Sequence, residues 1–156
     1  MIERYTRPEM GHVFSEAHKY ELWLAVELAM CEAREDAGAV PAGTAAAIRE
    51  RARVSPGRVA EIEAVTRHDV VAFLTAVGES VGPEARFLHW GMTSSDLLDT
   101  ALSVQLREAT ALLTAGARAL LEALAARARE HRRPSATHNR QWRSDKGVRI
   151  SYFLFS

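Results

Sequence analysis

The sequence has a single cysteine, few aromatic residues and no excess of charge of either sign. Cys31 alone excludes a disulfide within the chain, and its apolar neighbours favour a buried, reduced thiol. Basic and acidic residues both number 20, so no net field would draw the whole chain to nucleic acid or an anionic membrane. Unbroken apolar runs are too short to span a bilayer, and the first residues lack a signal-peptide core, which predicts a cytoplasmic protein.

Motifs that bind cofactors are also missing. The chain has no metal-ligand spacing, no glycine-rich phosphate loop, no dinucleotide fingerprint and no nucleophile elbow, so neither a cofactor nor a metal is expected. Core material is present, since 47% of the 156 residues are hydrophobic and 26% are charged. This is enough for one domain, or for a small domain joined to part of a larger one.

Apolar residues recur at helical spacing along most of the chain, and nothing is typical of a strand. Residues that begin or end helices divide the first ninety positions into four helical segments. These signals are the caps and prolines at Ser15, Pro41, Ser55-Pro56 and Asp69, and the stops at Gly38 and Gly82-Pro83. The sequence therefore predicts an all-α fold.

A long apolar stripe without proline follows, from Ser94 or Ser95 to about His131, and it predicts one helix of about ten turns. The stripe consists of Leu98, Leu102, Leu106, Ala109, Leu113, Leu120, Leu124 and Ala128. Such a helix suits a bundle of long helices better than a small globule. We expect a helical N-terminal domain over residues 1–92, the first long helix of an incomplete bundle over 93–131, and an irregular tail over 132–156.

The helical pattern ends after His131, where basic residues dominate as far as Arg149. This segment could be a basic tail that binds an acidic partner or RNA. An out-of-frame or foreign C-terminus would also lose its periodicity abruptly, and we favour that interpretation.

Three clusters of side chains are suited to binding anions. Arg67-His68-Asp69 places a guanidinium, an imidazole and a carboxylate at one helix junction, and Gly91 to Ser95 places hydroxyls and free amides at another. Arg4 and Tyr5 could contact phosphate through charge and hydroxyl. Each cluster also has a structural interpretation, respectively local hydrogen bonding, helix capping and an ordinary basic terminus.

In order along the chain, these clusters resemble the adenylosuccinate lyases of the fumarase and aspartase superfamily. The matching segments are Arg4-Tyr5 with Met10, Thr66-Arg67-His68-Asp69-Val70, and Thr93-Ser94-Ser95-Asp96 with Asp99-Thr100-Ala101. The resemblance covers residues 1 to about 131. It implies an all-helical homotetramer that releases fumarate from adenylosuccinate, giving AMP, and from the succinylaminoimidazole-carboxamide ribotide of purine biosynthesis.

The resemblance also implies roles for individual residues. The residues implied to bind substrate are Arg4, Tyr5, Arg67, His68, Asp69, Thr93 and Ser94. The first pair would hold the nucleotide phosphate, the central three would line the site, and the last two would bind the succinyl group. His68 would also be catalytic, as the partner of a second histidine. A small nucleotide and further copies of the chain are the implied partners, with neither a membrane nor nucleic acid.

The chain departs from the family where that second histidine is expected. The family has a Gly-Arg-Thr-His segment shortly beyond the position of His131, whereas Thr137-His138 falls three residues early and lacks the preceding Gly-Arg. The serine-bearing loop that supplies the family's base is also unmatched. We therefore expect a truncated or frame-shifted lyase that is inactive alone. Alternatives are a non-catalytic helical interaction module and another fumarate-releasing lyase of the superfamily.

Overall fold

The computed structural model describes residues 2–132, which are largely helical and contain no β-strand. Two short 3-10 helices cover Glu3–Tyr5 and Pro83–Phe87. The α-helices are α1 (Pro8–Val13), α2 (Glu16–Asp36), α3 (Thr44–Arg51), α4 (Pro56–Thr66), α5 (Asp69–Val81) and α6 (Ser94–Glu130). The predicted all-α class is confirmed.

The chain consists of two compact units, and the boundary between them lies within α6. The first unit reaches to Leu113 and the second begins at Thr114. The domain boundaries expected from the sequence, 1–92, 93–131 and 132–156, stay a prediction. Residues 133–156, on which most of the tail interpretation depends, lie outside the described residues, as does His138.

The core of the first unit is built around Phe73 of α5, which is fully buried. Its ring centroid lies 5.3 Å from that of Trp23 in an edge-to-face pair and 5.8 Å from that of Tyr20 in a stacked pair. Such aromatic pairs add about 0.5–1.5 kcal/mol beyond their buried area. Cys31 lies in the same core as predicted, and burial raises the pKa of its thiol, which favours the unreactive protonated form.

Several helix boundaries follow the predicted signals. The Ser15 hydroxyl accepts a hydrogen bond from the His18 amide at 3.2 Å and caps α2. After α2 the chain turns at Gly38, whose φ is 71°, a conformation that glycine adopts without strain. Pro56 occupies the first turn of α4, where its missing N–H costs nothing. The short helix α1 was not predicted.

The prediction that Pro41 lies in the first turn of the second helix is wrong. Helix α3 begins at Thr44, after the left-handed Gly43, and the Pro41 carbonyl accepts a hydrogen bond from the Thr44 hydroxyl at 2.7 Å. The Glu35 carboxylate, reaching across from α2, accepts from the amides of Gly43 and Ala45. A side chain distant in sequence therefore satisfies the helix start, which the local pattern around the proline could not indicate.

The single long helix is confirmed, but apart from Ala109 the fully buried residues of α6 lie outside the predicted stripe. Its buried residues are Leu97, Ala101, Gln105 and Ala109, spaced four apart. Five leucines of the stripe are between 47% and 66% exposed: Leu102, Leu106, Leu113, Leu120 and Leu124. By length and composition α6 could also cross a membrane, a test that core helices of soluble proteins pass as well.

Polar contacts fix the first part of α6 to α2 and to the end of α1. His18 Nε2 lies 2.7 Å from Glu108 Oε2, and His18 Nδ1 lies 3.3 Å from Glu21 Oε2. Hydrogen bonding to Glu108 outweighs the opposing desolvation and raises the pKa of His18. The Gln105 amide donates to the Val13 carbonyl at 2.7 Å. The first part of α6 is therefore anchored within the first unit.

Candidate functional site

The first candidate pair, Arg4 and Tyr5, lies in the N-terminal 3-10 helix with both side chains exposed. The Arg4 guanidinium carbon lies 4.7 Å from the centroid of the Tyr5 ring. A guanidinium stacked on a ring keeps its in-plane N–H groups available for an anion. Among residues 2–132, no hydrogen bond or ion pair joins this pair to the other two clusters, or joins those clusters to each other.

The second cluster forms a tight turn between α4 and α5. Arg67 has a left-handed backbone with φ of 56°, and its N–H donates to the Glu63 carbonyl at 2.8 Å, which ends α4. A non-glycine residue in this conformation costs on the order of 1–3 kcal/mol and is typical of functional turns. Arg67 also lines a shallow, open depression together with Ala60, Glu63 and Ala64. The guanidinium is therefore presented at an open surface.

The prediction that Asp69 caps α5 is wrong by one residue. His68 is the N-cap, and its Nδ1 accepts a hydrogen bond from the Val71 amide at 3.4 Å. The imidazole thus supplies the capping acceptor, and Asp69 lies in the first turn of α5. There its Oδ1 accepts a hydrogen bond from the Val70 amide at 2.7 Å. The same Nδ1 lies 3.5 Å from Asp69 Oδ1, so the imidazole and the carboxylate are neighbours at the helix start.

The third cluster lies at the start of α6, and here too the predicted cap is corrected. The helix begins at Ser94, so Thr93 and not Ser94 or Ser95 stands at the N-cap position. Asp96 Oδ2 accepts from the Thr93 amide at 2.8 Å, the reciprocal contact of a capping box. Within the described chain, the hydroxyls of Ser94 and Ser95 form no hydrogen bond, so both are available to a ligand at the positive end of a long helix.

Helix α2 holds the loop that leads into this third cluster. Glu27 is 1% exposed, and its Oε2 accepts from the His89 amide at 2.6 Å while its Oε1 lies 2.7 Å from His89 Nδ1. About two turns further along α2, the guanidinium carbon of Arg34 lies 5.5 Å from the centroid of the Trp90 ring. A Cβ on Gly91 would lie 2.5 Å from Arg34 Nη2, so any side chain at this position would have to displace the end of the Arg34 side chain.

No sequence motif marks Glu27 as a functional residue. A signal was nevertheless present, since Glu27 lies four residues from both Trp23 and Cys31, on the face of α2 that is otherwise buried. A carboxylate on a buried face requires a partner. The partner could not be found by spacing, because 62 residues separate Glu27 from His89.

Arg67 and His89 are the two non-glycine residues with positive φ between residues 2 and 132. Each lies in one of the two helix junctions that the sequence marked as candidate binding loops. No group of three or more His, Cys, Asp or Glu suited to a metal occurs in that same range. The clusters instead offer cations, hydroxyls and helix-start amides, which are groups that can bind carboxylates and phosphates, and one imidazole, which is a group that can transfer a proton.

Comparison with known proteins identifies the class to which this all-helical chain belongs. Residues 3–140 match the family model described as lyase, and the chain belongs to that family. The resemblance to adenylosuccinate lyases is confirmed: the chain is 47% identical to the adenylosuccinate lyase of Synechocystis sp. over 132 residues. It is 42% identical, over the same length, to the adenylosuccinate lyases of Staphylococcus saprophyticus and Bacillus subtilis.

Each of these alignments covers 85% of this chain and 31% of the relative. The chain thus spans about a third of the length of the curated relatives it matches. Among solved structures, the chain is similar to a fumarate lyase from Mesorhizobium sp. BNC1, with a TM-score of 0.72 and 26% identity. That similarity covers 78% of this chain and 29% of the fumarate lyase.

Proposed function

We propose that this chain is part of an adenylosuccinate lyase. The reaction is the release of fumarate from adenylosuccinate, which leaves AMP, and from the succinylaminoimidazole-carboxamide ribotide earlier in purine biosynthesis. The observation that carries the proposal is the start of α6, where the hydroxyls and the backbone amides of Ser94 and Ser95 lie together without protein partners among the described residues. Identities of 42–47% to three adenylosuccinate lyases support the same conclusion.

The chemistry explains why such a helix start is useful. A base removes a proton from the carbon next to a carboxylate, the electron pair forms the double bond of fumarate, and the carbon–nitrogen bond breaks as an acid protonates the nitrogen. Negative charge accumulates on the succinyl carboxylate as the proton leaves. In our proposal Thr93 and Ser94 bind that group, and the α6 amides stabilise the developing charge.

The other two clusters would serve the rest of the substrate. Arg4 and Tyr5 would bind the nucleotide phosphate, because a guanidinium forms paired hydrogen bonds with phosphate oxygens. Arg67 and Asp69 would line the site beside His68. With its Nδ1 engaged by the Val71 amide, His68 would present an Nε2–H to a second histidine, which is the catalytic role that the resemblance implies.

A small nucleotide is thus the proposed substrate, with no cofactor, in the cytoplasm. We also propose that copies of the chain associate, because leucines along α6 remain exposed in the single chain. Neither a membrane nor nucleic acid is a proposed partner. We expect no measurable fumarate release from the isolated chain, because the family's second histidine and its serine base find no matching motif in the sequence.

Binding can be tested without turnover by titrating fumarate and AMP separately into the isotope-labelled chain and following the amide NMR signals. Fumarate should shift Thr93, Ser94 and Ser95, and AMP should shift Arg4 and Tyr5. The start of α4, which follows Ser55 and carries no site residue, is a matched control helix start.

Equal shifts at the starts of α4 and α6, or no shift at millimolar fumarate, would contradict the proposal. A response to fumarate without any response to AMP would favour the alternative, a lyase of the superfamily that acts on another substrate. The similarity to a protein described as a fumarate lyase is the observation that favours this alternative.

A further inference from the structure

Glu27 is a buried carboxylate in the middle of α2, and its hydrogen bonds among the described residues both go to His89. Burying a carboxylate is costly unless it is paired and hydrogen-bonded. Here one oxygen accepts from the backbone amide of His89 and the other contacts the ring of the same residue. The two contacts together constrain both the main chain and the side chain of a single position.

His89 is a position where such a constraint matters. Its φ of 57° is left-handed, a conformation that is unfavourable for a residue with a Cβ. The loop continues through Trp90 and Gly91, which Arg34 covers, and reaches the α6 N-cap four residues after His89. The direction of the chain at His89 therefore determines where Thr93 and Ser94 lie.

We propose that Glu27 is a positioning residue for the hydroxyl cluster at Thr93, Ser94 and Ser95. By holding His89 in its left-handed turn, Glu27 sets the point at which α6 begins and hence the directions of the hydroxyls and free amides. Its importance for ligand binding rests on the proposed function, in which this cluster binds the dicarboxylate part of the substrate. Its control of the loop conformation is independent of the proposed function.

Glu35, on the same helix, provides a matched structural control. Its carboxylate also accepts two backbone hydrogen bonds, but they come from Gly43 and Ala45 at the start of α3. A carboxylate that matters only for stability should behave like Glu35. One that positions the hydroxyl cluster should affect the start of α6 in addition to stability.

The experiment compares Glu27→Met, Glu27→Gln and Glu35→Gln in the full 156-residue chain. Methionine has a similar length but cannot accept from the His89 amide. The glutamine carboxamide can accept from that amide and donate to an unprotonated Nδ1, so it can restore both contacts. Each variant is measured for unfolding by urea, for the amide NMR signals of residues 93–95, and for fumarate affinity from those signals.

Glu27→Met should displace or broaden the signals of residues 93–95 and weaken fumarate binding about tenfold or more, since a lost hydrogen bond to a charged group has that effect. Glu27→Gln should restore the wild-type signals and affinity. Glu35→Gln should lower the urea midpoint while leaving both unchanged. Wild-type signals and affinity in Glu27→Met, or equal losses in Glu35→Gln, would overturn the inference.

Two further outcomes are also decisive. If fumarate does not perturb the wild-type chain, the proposed function fails, and the ligand-free signals of residues 93–95 in Glu27→Met alone decide the inference. If Glu27→Met does not fold, hydrogen exchange of the wild-type chain decides it. The His89 amide should then exchange as slowly as amides on the buried face of α2, and exchange as fast as in an exposed turn would refute the role of Glu27.

Discussion

Replacing Gly91 with alanine tests how tightly α2 holds the loop before α6. Gly91 and Gly38 have the same φ of 71°, but their surroundings differ. A Cβ at Gly38 meets no atom within 4 Å, whereas a Cβ at Gly91 would lie 2.5 Å from Arg34 Nη2 and 3.1 Å from Arg34 Cζ. Gly38→Ala is therefore a matched control that carries the backbone strain without the steric clash.

The expected magnitudes follow from these two terms. A Cβ in the left-handed region costs about 1–2 kcal/mol, and this cost applies to both substitutions. Gly91→Ala must also push the Arg34 guanidinium away from the Trp90 ring, which removes a cation–π contact of about 0.5–1 kcal/mol at an exposed site. Gly91→Ala should therefore destabilise the first unit by about 0.5–1 kcal/mol more than Gly38→Ala.

Urea unfolding followed by far-ultraviolet circular dichroism measures the unfolding free energy of each variant relative to the wild-type chain. In an Arg34→Ala background the two substitutions should become equivalent, because the atom that the new Cβ would meet is gone. Equal costs for Gly91→Ala and Gly38→Ala in the wild-type chain would refute a clash with Arg34. So would an excess cost at Gly91 that persists without the Arg34 side chain.

Three further predictions concern the core, the polar contact of α6 and its exposed stripe. Phe73→Ala should cost about 3–5 kcal/mol in urea unfolding, since the ring is fully buried between two aromatic residues, and a cost below about 1 kcal/mol would contradict that packing. Glu108 raises the pKa of His18 above 6.5, so the stability that their contact contributes is complete below that pH and is lost as pH rises through the pKa of the folded state. Glu108→Gln should therefore destabilise the chain more at about pH 5.5 than at about pH 9. The double substitution Leu120→Glu and Leu124→Glu should change the unfolding free energy by less than about 0.5 kcal/mol yet reduce self-association in sedimentation velocity, whereas unchanged sedimentation would count against association through α6.

The helical fold could be predicted because its signals are local. Ser15, Gly38 and Pro56 act on neighbouring backbone groups, so the ends that they specify are readable from short stretches of sequence. The long uninterrupted pattern of α6 was equally clear. The sequence did not indicate which face of α6 is buried. The leucine stripe and the face that contains Leu97 lie on the same helix, and only tertiary packing decides between them.

The errors and omissions have a common physical cause. The starts of α3, α5 and α6 depend on Glu35, His68 and Asp96, whose side chains compete with nearer or more usual cap residues. The residue types of the candidate site were visible at the helix junctions, and their assigned roles stay predictions. Glu27 was missed because its partner is distant in sequence and no local pattern records that contact.

The separation of 62 residues between Glu27 and His89 has a consequence for how the molecule folds. Closing so long a segment carries an entropic cost that only tertiary packing of the intervening helices can offset. We therefore expect the turn at His89 to acquire its final shape only once helix packing has brought Glu27 beside it. A peptide containing residues 88–100 alone would have the serine and threonine hydroxyls but not the conformation that aligns them, so this surface is a product of assembly and cannot be transplanted as a linear motif.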